Sequence, residues 1–154
     1  MNHKVKKPHK LLGTDGTLLE PGWATRLIME YSPLDIKADK IRIKEWDYYL
    51  IYNNRIAIAL TMDDNAYMSM LSASFIDLTV PCEITVSPMG ILPMGKVGLP
   101  SSSAAGISHL KLADKKNPAE FTFSTENGVR KLQCKMENFH NGHPFVCDIV
   151  LTEE

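Results

Sequence analysis

The run Lys40-Ile-Arg-Ile-Lys-Glu-Trp-Asp-Tyr-Tyr-Leu-Ile-Tyr52 is the longest strand-like stretch of the chain, and it gathers one of two tryptophans and three of five tyrosines. Period-two alternation puts Ile41 and Ile43 on one face and Trp46, Tyr48, Leu50 and Tyr52 on the other. The phase changes near Lys44-Glu45. One extra residue there, a β-bulge, would bring all six side chains onto one face; a strand buried on both faces at different points is the alternative. We take this run as the central strand. Asn53-Asn54 then serves as a two-residue hairpin turn, because Asn tolerates positive φ. In that register Leu50 faces Ala57, Tyr48 faces Ala59 and Trp46 faces Thr61, with bulky residues meeting small ones. Trp46, Tyr48 and Tyr52 beside Ala59 and Thr61 form a candidate ligand cavity, although the same pairing also serves ordinary core packing.

Downstream, Ala57 to Met62, Ala66 to Thr79 and Cys82 to Met89 continue a meander, and upstream Trp23 to Tyr31 ends at Ser32-Pro33. The segment Pro88 to Gly106, with three prolines, four glycines and Ser101-Ser-Ser103, is the one long irregular stretch. Such loops are often functional, and Ser101 and Ser102 could meet a polar ligand end at a barrel mouth or simply form local side-chain to backbone bonds. Four more strands follow, Ile107 to Ala113, Glu120 to Thr125, Val129 to Glu137 and Phe145 to Thr152, separated by the turns Lys115-Lys-Asn-Pro118, Glu126-Asn-Gly128 and Asn141-Gly142. The expected fold is all-β, an antiparallel meander of about nine strands with little or no helix, closed as a lipocalin-like barrel or strongly curved sandwich. Residues 1–16 are expected to be a flexible N-terminal segment and 17–154 a single β-barrel-like domain.

A chain of 154 residues with 44% hydrophobic and 23% charged content can bury a real core. Its net charge of -1 argues against a nucleic-acid partner, and the lysines of Lys4 to Lys10 are a solvated terminus. No apolar run suits a membrane span and no secretion signal is apparent, so a cytoplasmic location is expected. Three cysteines without CxxC spacing fit reduced, buried thiols.

Chemistry is sparse. Glu45 and Asp47 could act as acid and base, but they equally suit partnership with Arg42, Lys44 or Arg55. His140-Asn-Gly-His143 with Cys147 resembles a metal cluster, yet Asn-Gly is the preferred hairpin turn and would set His140 across from His143, so no metal is expected. No phosphate loop, dinucleotide fingerprint or nucleophile elbow is present, and no cofactor is expected.

The pieces Pro21-Gly-Trp-Ala24, Ile43-Lys-Glu-Trp-Asp-Tyr-Tyr49 and Pro93-Met-Gly-Lys-Val-Gly-Leu-Pro-Ser-Ser102 occur in order along the chain. Together they resemble the DUF2804 family of bacterial proteins of unknown function. That resemblance implies similarity to tandem lipocalin-like proteins, including carotenoid hydratase-like ones, with two barrel halves of which this chain would be the first. It supplies no catalytic residues. The leading expectation is a small apolar-ligand binding module with Arg42, Glu45 and Asp47 at the polar end of the cavity. A hydratase or isomerase using Glu45 or Asp47 on an unsaturated lipid-like substrate is one alternative, with enzyme activity the weaker expectation for this half alone. The other is a structural half that docks on another β domain or forms a homodimer.

Overall fold

A computed structural model describes residues 3–152; Met1, Asn2, Glu153 and Glu154, at the ends of the two expected segments, lie outside the described residues. Among the described residues eleven strands follow in chain order: β1 (His9–Lys10), β2 (Met29–Glu30), β3 (Glu45–Tyr52), β4 (Ile56–Asp64), β5 (Met68–Asp77), β6 (Cys82–Val86), β7 (Met89–Ile91), β8 (Gly106–Leu112), β9 (Ala119–Glu126), β10 (Val129–His140) and β11 (His143–Thr152). Among the described residues there is no α-helix, only 3-10 turns at Pro33–Asp35 and Lys40–Arg42. None is long and apolar enough to cross a membrane.

The all-β expectation holds, but the barrel and the strand count do not. The long strands form two open sheets, β11-β10-β9-β8 and β3-β4-β5-β6, with β7 added to the second beside β5. Closure would need a ladder between the sheets, and none runs between them among the described residues. The link between the two sheets, Leu92 to Ala105, carries Pro93 and Pro100, which have no N–H to donate. It crosses from one sheet to the other as irregular backbone. The count rises from about nine because the long segments break. The Ser87-Pro88 link splits the expected Cys82–Met89 strand, and β6 and β7 pair with the far and near halves of β5. Trp23 to Tyr31 pairs only at a single Lys4–Trp23 bridge and at β2, which runs parallel to β1. Val5 is buried there, its N–H donating to the Trp23 carbonyl at 2.9 Å.

The sheets pack face to face as a sandwich, and alternation decides what each strand contributes. Leu60, Met62, Leu71 and Ala73 from one sheet meet Leu112, Phe121, Phe123, Leu132, Cys134 and Met136 from the other in one core. Tyr49 stands edge-on to Phe123 across the gap, with centroids 5.0 Å apart at 77°. Gly90 lets β7 lie close, because a Cβ there would stand 2.6 Å from Ser69 Oγ and 2.9 Å from Leu112 Cδ2.

The run Lys40–Tyr52 is not a single strand. Asp39 Oδ1 accepts the Ile41 N–H at 3.1 Å and starts a 3-10 turn, so the strand begins only at Glu45. It lies at the edge of its sheet, not the centre. No bulge occurs: β3 and β4 pair without a break from Glu45–Asp64 to Tyr52–Ala57. The register differs from the expected one because Asn53 does not occupy the turn centre. Its Oδ1 accepts the N–H groups of Arg55 (2.8 Å) and Ile56 (3.0 Å), and its own N–H donates to the Ile56 carbonyl. The turn therefore moves to Asn54-Arg55. Leu50 now faces Ala59, Tyr48 faces Thr61 and Trp46 faces Asp63. At Asn127-Gly128 and Asn141-Gly142 the Asn-Gly expectation is met, with both residues of each pair at positive φ and His140 directly opposite His143.

Candidate functional site

The start of β3 lies beneath two capped turns. Ser32 Oγ accepts the Leu34 N–H at 3.3 Å and starts the first; Asp39 starts the second. Between them they hold Tyr31, Ile36, Ala38, Arg42 and Ile43 along one wall of a cleft of about 530 Å³. The other walls are Glu45, Trp46 and Asp47 of β3 and Leu99 and Pro100 of the crossing segment. Apolar walls with a few convergent polar groups, in this size range, are what a small-molecule site requires.

Alternation on β3 turns Glu45, Asp47, Tyr49 and Ile51 toward the core and Trp46, Tyr48, Leu50 and Tyr52 outward. The Tyr31 hydroxyl donates to Glu45 Oε1 at 2.5 Å. Burial, and then the adjacent Glu45 carboxylate, pushes the Tyr31 hydroxyl well above its usual pKa. Asp47 Oδ2 accepts from the buried Ser108 hydroxyl at 2.9 Å, tying the two sheets together at this end. Deeper in, Tyr49 is pushed up by burial and then by Asp47, with Arg130 over its ring at 5.3 Å acting the other way.

Glu45 also faces Asp64 directly across the ladder. Both line a second, smaller cleft of about 210 Å³ with Ile43 and Leu99, so the two clefts meet at Glu45. Asp64 is 3% exposed. Its Oδ1 accepts the Ala66 N–H at 2.9 Å and its Oδ2 accepts the Val97 N–H at 3.3 Å, which anchors the crossing segment to the sheet. Lys44 donates to the Asn65 carbonyl at 2.9 Å and lies over the Tyr67 ring.

Of the residues singled out from sequence, Arg42, Glu45, Trp46 and Asp47 come together in the larger cleft. The others do not join them. Tyr48 and Tyr52 are 55% and 72% exposed on the outer face of the sheet, where Thr61 and Ala57 are their neighbours and Ala59 adjoins Leu50. The reason is local: outward-facing β3 side chains have no second layer over them. Ser101 and Ser102 follow Pro100 as exposed residues, and Ser102 Oγ accepts the Ala104 N–H at 3.2 Å, a local bond of the kind weighed above. Tyr31, Ile36, Asp64 and Leu99 were not apparent from sequence. Asp63-Asp-Asn65 carries a plain turn signal, and only its continuation of the β4 alternation could have marked Asp64 as inward.

Asp63, turned outward beside Trp46, is itself buried. Its Oδ2 accepts from Asn65 Nδ2 at 3.0 Å, and burial, ahead of the opposing Met70 N–H and Asn65 bonds, raises its pKa. A carboxyl that holds its proton more tightly when folded stabilises the fold below its unfolded pKa, and loses that contribution as pH rises through the folded value. Asp63→Asn should therefore melt higher than the parent at neutral pH, with the difference shrinking as pH falls toward 4. Thermal melts across that range check it, and a parent that is already the more stable protein at neutral pH contradicts it.

Among the described residues no three His, Cys, Asp or Glu side chains gather as a metal-ligand set. His140 Nε2 instead accepts from Asn141 Nδ2 at 2.9 Å within the hairpin turn. In comparison with known proteins, the family described as "Domain of unknown function (DUF2804)" matches residues 2–154. No curated protein and no solved structure matches the chain.

Proposed function

The chain belongs to the DUF2804 family, and from that premise and the geometry at β3 we propose that it is a binding module for a small, largely apolar molecule with a hydrogen-bonding end. The observation that carries this reading is the cleft in which Ile36, Ile43, Leu99 and Pro100 surround Tyr31, Glu45 and Asp47, with Trp46 at its outer edge. The same cleft draws two of the chain's distinctive sequence blocks, Ile43 to Tyr49 and Pro93 to Ser102, to one place. An apolar body would lie along Ile36, Leu99 and Pro100. Its polar end would meet the Glu45 and Asp47 carboxylates, with the Arg42 side chain at the exposed rim.

Acid catalysis on an unsaturated substrate finds less support. Tyr31 is the group bonded to Glu45; a phenol keeps its proton at neutral pH in any case, and burial beside Glu45 holds it more tightly still. A held proton suits a positioning donor better than a general acid.

Titration with a neutral long-chain alcohol carrying a dansyl group, whose hydroxyl can donate to the two carboxylates, read by energy transfer from Trp46 in a Trp23→Phe background, tests the proposal. Ala38→Phe should fill the cleft and weaken binding by about tenfold or more, equivalent to ~1.4 kcal/mol. As an exposed substitution it should leave stability within about 0.5 kcal/mol. Glu45→Gln should weaken binding as well. Unchanged affinity in both variants would place the probe elsewhere and end this assignment.

A further inference from the structure

We infer that Cys134 and Cys147 form an oxidisable dithiol, a modification site at which neighbouring strands of the core take up a reversible disulfide. The two are direct partners in the β10–β11 ladder, and both are buried on the inner face of the sandwich. Residues directly opposite in an antiparallel ladder have Cα atoms roughly 4.5 to 5.5 Å apart. That lies inside the range of roughly 4.4 to 6.8 Å found across disulfides, so closing the bond needs rotation of two side chains and no shift of backbone. Both thiols are free. Cys82, the remaining cysteine, is exposed on β6 in the other sheet.

The pair is asymmetric in a useful way. Cys134 lies on an inner strand, between β9 and β11, whereas Cys147 lies on β11, which has one neighbour and an open edge. Transient opening of that edge strand exposes Cys147 first. Cys147 therefore meets the oxidant first and supplies the attacking thiolate. The oxidant is a low-molecular-weight disulfide. The Cys147 thiolate attacks one of its sulfurs, forms a mixed disulfide and releases one thiolate, which takes up the Cys147 proton. Cys134 then loses its proton and attacks the Cys147 sulfur, and the second small thiol leaves with that proton. Two protein thiols are oxidised by two electrons, and one small disulfide is reduced to two thiols. The product locks the edge strand β11 onto β10.

The test uses the Cys82→Ser protein incubated with oxidised glutathione under native conditions. Intact mass should fall by two hydrogens, and peptide mapping should join the segments holding Cys134 and Cys147. A dithiol reductant should reverse both changes. Amide exchange along Val146–Ile149 should slow by roughly ten- to a hundredfold in the oxidised form. Cys82→Ser/Cys134→Ser should instead accumulate a stable glutathione adduct on Cys147. Two free thiols persisting in the native protein, while the urea-unfolded protein oxidises, would overturn the inference. So would a glutathione adduct on Cys147 that never resolves with Cys134 present.

Discussion

Replacing Phe121 with alanine should cost about 3–5 kcal/mol, a large share of the roughly 5–15 kcal/mol that holds a typical domain together. Phe121 is fully buried on β9, flanked by Leu110 on β8 and Cys134 on β10. Its ring lies 6.0 Å from that of Phe123, which in turn meets Tyr49 of the opposite sheet. Truncation removes the transfer term and leaves a void between two sheets that no ladder joins among the described residues, so collapse has to come from sliding the sheets. Tyr52→Ala, which removes a ring of similar size that is mostly in solvent, should cost no more than about 0.5 kcal/mol. Urea titrations of both proteins check the contrast. Equal losses would mean that the packing faces of the two sheets have been assigned the wrong way round.

That contrast also marks how far the sequence could be read. Asn127-Gly128 and Asn141-Gly142 were legible because a type I′ turn needs two residues at positive φ, a requirement that four residues carry by themselves. The start of β3 was not, because Ile41 and Ile43 satisfy the strand alternation while Asp39 caps a competing turn with one side-chain bond. Asn53-Asn54 misled for the same reason: the Asn53 side chain captures two backbone donors and pushes the turn one residue on. Both are short-range contests between side chain and backbone, decided by geometry that alternation does not encode. Barrel against sandwich is a different problem. It turns on whether strands distant in sequence pair with each other, and period two is the same in either case.

The site divides along similar lines. Arg42, Glu45, Trp46 and Asp47 could be grouped because they are adjacent in the chain, and the two faces of the strand then separated Trp46 from its inward neighbours. Tyr48 and Tyr52 look like cavity residues on alternation alone, since a strand pattern says which side chains share a face and not whether that face is covered. Tyr31, Asp64 and Leu99 reach the cleft from three other segments, and only the fold brings them to Glu45.

Asp64→Ala should destabilise the protein by about 2–4 kcal/mol, since bonds from backbone N–H groups to a charged, buried acceptor contribute roughly 1.5–3 kcal/mol each and do not add fully. The loss should also fall unevenly. One released donor belongs to Ala66, a non-glycine residue at φ 64° whose left-handed conformation costs on the order of 1–2 kcal/mol and is held by that bond. The other belongs to Val97, in the middle of the segment that carries Leu99 and Pro100 to the cleft. Apart from Asp64, that segment is tied to the β4–β5 turn through Leu92 N–H to the Tyr67 carbonyl and Met94 N–H to the Ala66 carbonyl, both upstream of Val97. With Asp64 gone, one wall of the cleft should loosen while the sandwich core stays intact. The Val97 amide should lose protection before the β9 and β10 amides do, and the dansyl-labelled alcohol should bind more weakly although Glu45, Trp46 and Asp47 are untouched. Asp64→Asn should fall between the two, because its amide oxygen can keep one donor but its NH₂ group then faces the other. Hydrogen exchange and the fluorescence titration, run on the same samples, separate this from general unfolding: full probe affinity with an unprotected Val97 amide would show that the crossing segment is not a wall of the site.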